Sequence, residues 1–219
     1  MKNIFWIIIC AFSIACNNQK SENRNQTVPE IDLPYYIEPT FTPKWIEETD
    51  EGFNEIHSIA NFKFQNQEGS WITQDDLKGK IYIANFFFSI CPNVCPLMMG
   101  NLLKVQDTFK LNTRIKILSH TVMPWLDSVG RLREYADFNG INAKNWSLLT
   151  GDKKEIYELA RNSYFADEGF GKTVTENDDF LHTENLVLID QNRHIRGVYN
   201  GTLSLETKQL IEDIKHLLK

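Results

Sequence analysis

Ile81-Tyr82-Ile83-Ala84-Asn85-Phe86-Phe87-Phe88-Ser89-Ile90-Cys91-Pro92-Asn93-Val94-Cys95-Pro96 is the stretch from which the fold can be read. Its first eight residues are apolar at almost every position, the pattern of a central strand covered on both faces. That strand runs directly into two cysteines separated by three residues. Pro92 biases Cys91 towards an extended backbone, and Pro96 suits the first position of a following helix, so Cys95 is expected at or beside the N-cap. Unpaired N–H groups and the positive end of the helix dipole favour a thiolate there, the form that attacks disulfides and binds soft metals.

Outward from this stretch the periods are clear. Before it, Ala60 to Phe64 alternates, Asn66 to Gly69 turns, and Ser70 to Thr73 answers, which predicts a β-hairpin. After it, Met98, Leu102, Val105 and Phe109 mark one face of a helix, and Arg114 to Ser119 reads as a strand. Asp127 is the expected cap of a second helix carrying Leu132, Tyr135, Ala136 and Phe138, and Trp146 to Leu149 is a short strand. Asp152 with Glu155 suggests a capping box for a third helix reaching Tyr164. Phe165 to Glu184 has no period and reads as a long loop of the kind that tends to be functional. Leu186 to Asp190 and Ile195 to Tyr199 form a second hairpin, and a final helix carries Leu210, Ile211, Ile214, Leu217 and Leu218. This order implies an α/β fold: a mixed central sheet flanked by helices, with an N-terminal hairpin.

The N-terminus is of a different kind. Met1-Lys2-Asn3 and the apolar run Ile4 to Ala15 form a secretory signal, shorter than the roughly 18 to 20 residues of a membrane-spanning helix. Ala15-Cys16 at its end resembles the lipobox of bacterial lipoproteins, with Ser13 where leucine is more usual, so residues 1–15 are expected to be removed and Cys16 acylated. Residues 16–50 then hold Pro29, Pro34, Pro39 and Pro43 at nearly regular intervals and are expected to form a poorly packed tether, with the folded domain spanning 51–219. Tyr35, Tyr36, Phe41 and Trp45 leave open a segment strapped along the domain. The expected location is the periplasmic side of a bacterial membrane. Among 219 residues with a net charge of −6, basic residues are scattered singly, which argues against nucleic acid as a partner. Loss of the signal removes one lysine and takes the charge to −7.

With Cys10 lost and Cys16 acylated, Cys91 and Cys95 are the remaining thiols. A disulfide closing so short a loop removes little unfolded-chain entropy, so chemistry explains the pair better than structural stapling. Two thiolates leave a metal short of ligands. Of the five histidines, His57, His194 and His216 read as solvated. His182, at the end of the long loop and just before a buried strand, can approach the sheet end that carries the cysteines. His120, at the end of a strand, is the rival.

The residues Leu77-Lys78-Gly79-Lys80, Cys91-Pro92-Asn93-Val94-Cys95-Pro96, Leu148-Leu149-Thr150-Gly151, His182-Thr183 and Ile195 to Gly201 together resemble the Sco/SenC family of copper-binding cytochrome oxidase assembly proteins, over roughly residues 58–218. The resemblance implies a thioredoxin-like domain that binds Cu(I) or Cu(II) through Cys91, Cys95 and His182. It also implies a copper-site subunit of a terminal oxidase, or another copper protein, as partner. Thiolates suit soft Cu(I) and imidazole suits both copper states. The chain departs from the family at Met123-Pro124, where an Asp-Pro segment is usual, and at Leu181, where many members have Asp. Asp178, Asp179 or Glu184 would then have to support His182. The competing function is a thiol:disulfide oxidoreductase using Cys91 and Cys95. The chain has no proline after Pro124, so the cis-proline of general thioredoxins has no counterpart.

Overall fold

The computed structural model describes residues 32–166 and 183–219. The signal segment, Cys16, the first part of the expected tether, and His182 with most of its loop lie outside the described residues. From Asp32 to Lys219 the chain is one compact unit. Its strands are β1 (Lys63–Asn66), β2 (Trp71–Thr73), β3 (Ile81–Phe87), β4 (Ile115–Thr121), β5 (Trp146–Thr150), β6 (Asn185–Ile189) and β7 (Ile195–Asn200). The helices are α1 (Val94–Thr108), α2 (Val129–Asn139), α3 (Lys153–Asn162) and α4 (Ser204–Leu217). The seven strands lie in the order β2-β1-β5-β4-β3-β6-β7. β3, β4 and β5 run parallel, while β1 and β6 pair antiparallel to their neighbours. The element order and the α/β class are those expected.

All seven residues of β3 are buried. Alternate residues supply two cores, one on each face of the sheet. Tyr82, Ala84 and Phe86 join Phe64, Leu118, Tyr157 and Tyr164 on one face. Ile81, Ile83 and Phe87 join Cys95, Met98, Leu102, Val105, Ile117, Trp146 and Leu210 on the other. The heptad-like face of α1 is therefore buried as its spacing predicts.

Three local expectations change. The N-cap of α2 is Ser128, whose hydroxyl accepts from the Arg131 N–H at 3.3 Å, and not Asp127. Phe138 lies off the buried face carried by Leu132 and Ala136. The third change concerns residues 32–45, which pack on the domain instead of forming a loose tether. Tyr35 is buried and exchanges backbone hydrogen bonds with Lys44 at 2.8 and 2.9 Å, and the Tyr36 N–H donates to the Ile195 carbonyl of edge strand β7 at 3.0 Å. This gives the exposed edge a partner, which sheets require if they are not to pair with other chains.

Arg196 of β7 fixes this strap. Its guanidinium lies 4.0 Å from the Tyr35 ring centroid, donates to the carbonyls of Leu33 and Pro34, and pairs with Asp32 at 3.1 Å and Asp190 at 3.3 Å. Burial pushes the Asp190 carboxyl up, but His194 and Arg196 more than offset this and hold it below its ordinary pKa. Arg196→Ala is expected to destabilise the domain by about 3 kcal/mol, because Asp190 loses a buried cation. Urea unfolding measures this, and faster tryptic cleavage after Lys44 reports release of the strap.

Candidate functional site

β3 ends at the carboxyl edge of the sheet, and the chain turns there, the Cys91 N–H donating to the Phe88 carbonyl at 3.2 Å. α1 begins at Val94 with Asn93 as N-cap, so Cys95 is its second residue and Pro96 its third, one or two positions further in than expected. Asn93 makes no side-chain capping bond. The Cys95 N–H instead donates to Cys91 Sγ at 3.4 Å, so sulfur occupies the place of a capping oxygen.

The two thiols are chemically unequal. Partial burial raises the Cys91 pKa, but the N–H groups of Cys95, Asn93 and Val94 and the Cys95 thiol outweigh it, and the net shift is downward. Cys95 is 7% exposed and packs in the core beneath. Burial pushes its thiol up to about 12, helped by the neighbouring Cys91. Cys91 is thus the more accessible and more readily deprotonated sulfur and Cys95 the protected one.

Two further residues serve this site and were not recognised from sequence. Asp127 is 1% exposed. Its carboxylate accepts from the Ser89 N–H at 3.2 Å, the Ser89 hydroxyl at 2.5 Å and the Thr121 hydroxyl at 2.5 Å. It ties the start of the thiol loop to the end of β4, and Arg131 of α2 adds a bond to the Ser89 hydroxyl at 3.3 Å. The signal was present: Asp127-Ser128 offers two competent caps where a helix uses one, which leaves the acid free for another partner. Tyr135 of α2 has its ring 5.6 Å from Phe87. Burial, then Cys95, Cys91 and Asp127, push its phenol up to about 12, so its hydroxyl stays neutral.

Four histidines are described. His120 is fully buried on the face of the sheet opposite Cys95, stacked on Phe86 at 5.3 Å and ringed by Phe62, Phe64 and Tyr164. Among the described residues neither ring nitrogen has a hydrogen-bond partner, and burial pushes its pKa down to about 3. It is no rival ligand, because the sheet separates it from the sulfurs. His57, His194 and His216 are not solvated as expected. His57 Nε2 lies 2.8 Å from the Ser163 carbonyl, His194 packs edge-on to Tyr35 and Phe53, and His216 meets Asp32 at 3.2 Å.

His182 lies outside the described residues, but its successors do not. β6 runs antiparallel to β3 and starts at Asn185, so Thr183 and Glu184 enter the sheet at the carboxyl end of β3. The Gly201 N–H donates to the Glu184 carbonyl at 2.7 Å, and Asn101 of α1 donates to the Gly201 carbonyl at 2.8 Å. The chain following His182 is therefore at the same end of the domain as the thiol loop. Among the described residues no group of three or more His, Cys, Asp or Glu side chains is placed to hold a metal.

A strand-to-helix dithiol on a mixed α/β sheet defines the class: a thioredoxin-like domain with a soft-donor site. The SCO1/SenC family model matches residues 51–219, and the chain belongs to that family. Among solved structures, a SCO1/SenC family lipoprotein from Bacillus anthracis is 30% identical, with a TM-score of 0.65 over 74% of this chain and 96% of that one. BsSco, described as a member of the Sco family of cytochrome c oxidase assembly proteins with a disulfide switch, is 29% identical, with a TM-score of 0.63 over 74% and 93%. Arabidopsis thaliana ScoI with copper bound is 26% identical, with a TM-score of 0.56 over 72% and 98%.

Two measurements follow from these environments. With a small alkylating reagent near neutral pH, Cys91 is expected to be modified well before Cys95, since only its pKa is lowered; mass spectrometry of the digested protein reads the order, and equal labelling would contradict the assignment. At His120 the unfolded chain gains a proton below about pH 6.5 while the folded chain resists it down to about 3. Stability therefore falls as pH drops through that window, by up to about 1.4 kcal/mol per pH unit. His120→Phe is expected to flatten this acid limb in denaturant melts.

Proposed function

We propose that this protein is an exported copper chaperone that assists assembly of the binuclear copper site of a terminal cytochrome c oxidase. In this reading Cys91, Cys95 and His182 hold the metal as cargo. The observation that carries it is the pairing of a loop thiol and a helix thiol at the sheet end where Thr183 and Glu184 enter. Two sulfurs and an imidazole form a donor set suited to copper in both oxidation states. The copper-bound Arabidopsis relative and the oxidase-assembly description of BsSco support the assignment.

The mechanics follow from the two thiols. Helix N–H groups favour the thiolate form of Cys91, so it is the entry point for incoming Cu(I). Cys95 must lose a proton that burial holds tightly, and the charge of a bound cation supplies the compensation that water cannot. Asp127 fixes the loop so that Cys91 stays over the helix terminus. Ile90, Leu97 and Leu126 are exposed apolar side chains on or beside this loop and helix start, a surface for a copper-site subunit or another copper protein. Acylation at Cys16 would hold the domain at a membrane on the periplasmic side, in keeping with the Bacillus anthracis lipoprotein.

The unequal thiols also favour a second reading, a thiol:disulfide oxidoreductase acting on cysteines of exported proteins. There Cys91 attacks and Cys95 resolves, and His182 has no part. One experiment separates the two. Cys91→Ser and Cys95→Ser are each expected to weaken Cu(I) retention against a competing chelator by more than the roughly 10- to 100-fold that an outer-shell change brings. His182→Ala is expected to lose copper and oxidase assembly while keeping the disulfide exchange of Cys91 and Cys95. Full oxidase assembly by that variant would favour the oxidoreductase.

A further inference from the structure

The end of the sheet opposite the thiols has its own chemistry. Lys80 leads into β3, Arg114 leads into β4, Lys116 is the second residue of β4, Lys144 approaches β5, and Lys110 follows α1. The fold gathers them: the Ile81 N–H donates to the Arg114 carbonyl at 2.9 Å, Lys116 Nζ donates to the Lys144 carbonyl, and Asn145 Nδ2 donates to the Phe109 carbonyl at 3.2 Å. Among the described residues none of these five cations forms an ion pair. Asp76 acts on Lys80 at longer range. Asp107 in the last turn of α1 and Asp137 in the last turn of α2 share this end, so the five cations outnumber the acids there by a modest margin in a chain of net charge −6.

Leu111 and Phe138 lie at the same end, 90% and 91% exposed, the most exposed large apolar side chains described. Leu111 sits between Lys110 and Arg114. Phe138 is in the last turn of α2, whose Gly140 carbonyl accepts from Gln106 of α1 at 3.2 Å. The domain also begins here: Asp32 is bonded to His216 in the last turn of α4 and to Arg196 near the start of β7.

We propose that this end is a docking face for an anionic phospholipid surface, with the five cations meeting headgroup phosphates and Leu111 and Phe138 entering the interfacial layer. Clustered Lys and Arg side chains are drawn to such surfaces, and isolated apolar side chains insert among headgroups without needing a shaped partner. A protein partner would call for a contiguous apolar core within the interface, which two separate side chains do not provide. The proposal does not rest on the copper reading.

Hydrogen exchange of the full chain on lipid nanodiscs tests it, the N-terminal apolar segment or its acyl replacement holding the chain to the disc in either case. On discs of phosphatidylethanolamine with phosphatidylglycerol, peptides covering 109–116 and 136–146 are expected to exchange several-fold more slowly than on phosphatidylcholine. High salt should erase the difference by shortening the Debye length from about 10 Å at 0.1 M to about 3 Å at 1 M. The triple variant Lys110→Glu, Arg114→Glu, Lys144→Glu should lose the protection, each reversal weakening association by about fivefold or more. Unchanged exchange in β3 and β4 confirms that the variant is folded. Equal exchange on the two discs, or protection appearing only when an acidic protein is added, would overturn the proposal.

Discussion

Complete burial of β3 is the constraint from which the architecture follows. A strand with seven buried residues must have strands on both sides and a layer on both faces, and the chain supplies them as β4, β6, the α1 side and the α3 side. Because β3 is an interior strand, whatever follows it emerges within the sheet's carboxyl edge and not at its corner, with α1 packing back beneath. The two sulfurs owe their position to this. One is carried by the turn and the other by the first turn of a helix whose Met98, Leu102 and Val105 are committed to the core.

Burying so much strand creates polar debts that are settled internally. Asn85 in the middle of β3 accepts from the Ser119 hydroxyl at 2.6 Å, and Ser119 accepts from the Trp146 indole at 2.8 Å, a chain that crosses three adjacent strands. Asp127 plays the same part at the strand ends, its carboxylate meeting three donors where a half-satisfied acid would be costly. The thiol loop is therefore held by a buried ionic anchor and not by packing alone. His120 is the exception, a buried ring accommodated by aromatic stacking and left without hydrogen bonds.

The elements were legible because their signals are local. Continuous burial in β3, the spacing of Met98, Leu102, Val105 and Phe109, and the Asp152 cap are each contained in a few residues, and each holds in the structure. The misreadings came from partners distant in sequence. Asp127 looked like a cap because its ligand Ser89 is 38 residues away, and the strap looked like a tether because Arg196 is more than 160 residues from Leu33 and Pro34. For His120 the sequence gives the strand but not which face its odd and even positions meet. The cysteine pair was legible because both donors sit in one short loop, whereas His182 rests on resemblance and on the sheet end at which Thr183 arrives.

The parallel strands give the domain two unlike ends. Their carboxyl ends collect loops that present sulfur, a buried acid and exposed apolar side chains, while their amino ends collect the lysines and arginine that lead into each strand. β3 alone, at about 3.3 Å per residue, separates the ends by about 20 Å. Asp32, held at the basic end, lies on the far side of the domain from the thiols. With the basic end against lipid, Cys91 would face outward at the height of one folded domain, where the soluble part of another membrane-bound protein can reach it by lateral diffusion. The strap then acquires a mechanical reason: by holding Asp32 to Arg196 and His216, it fixes the start of the described domain at the amino end of the sheet and keeps the thiol end free.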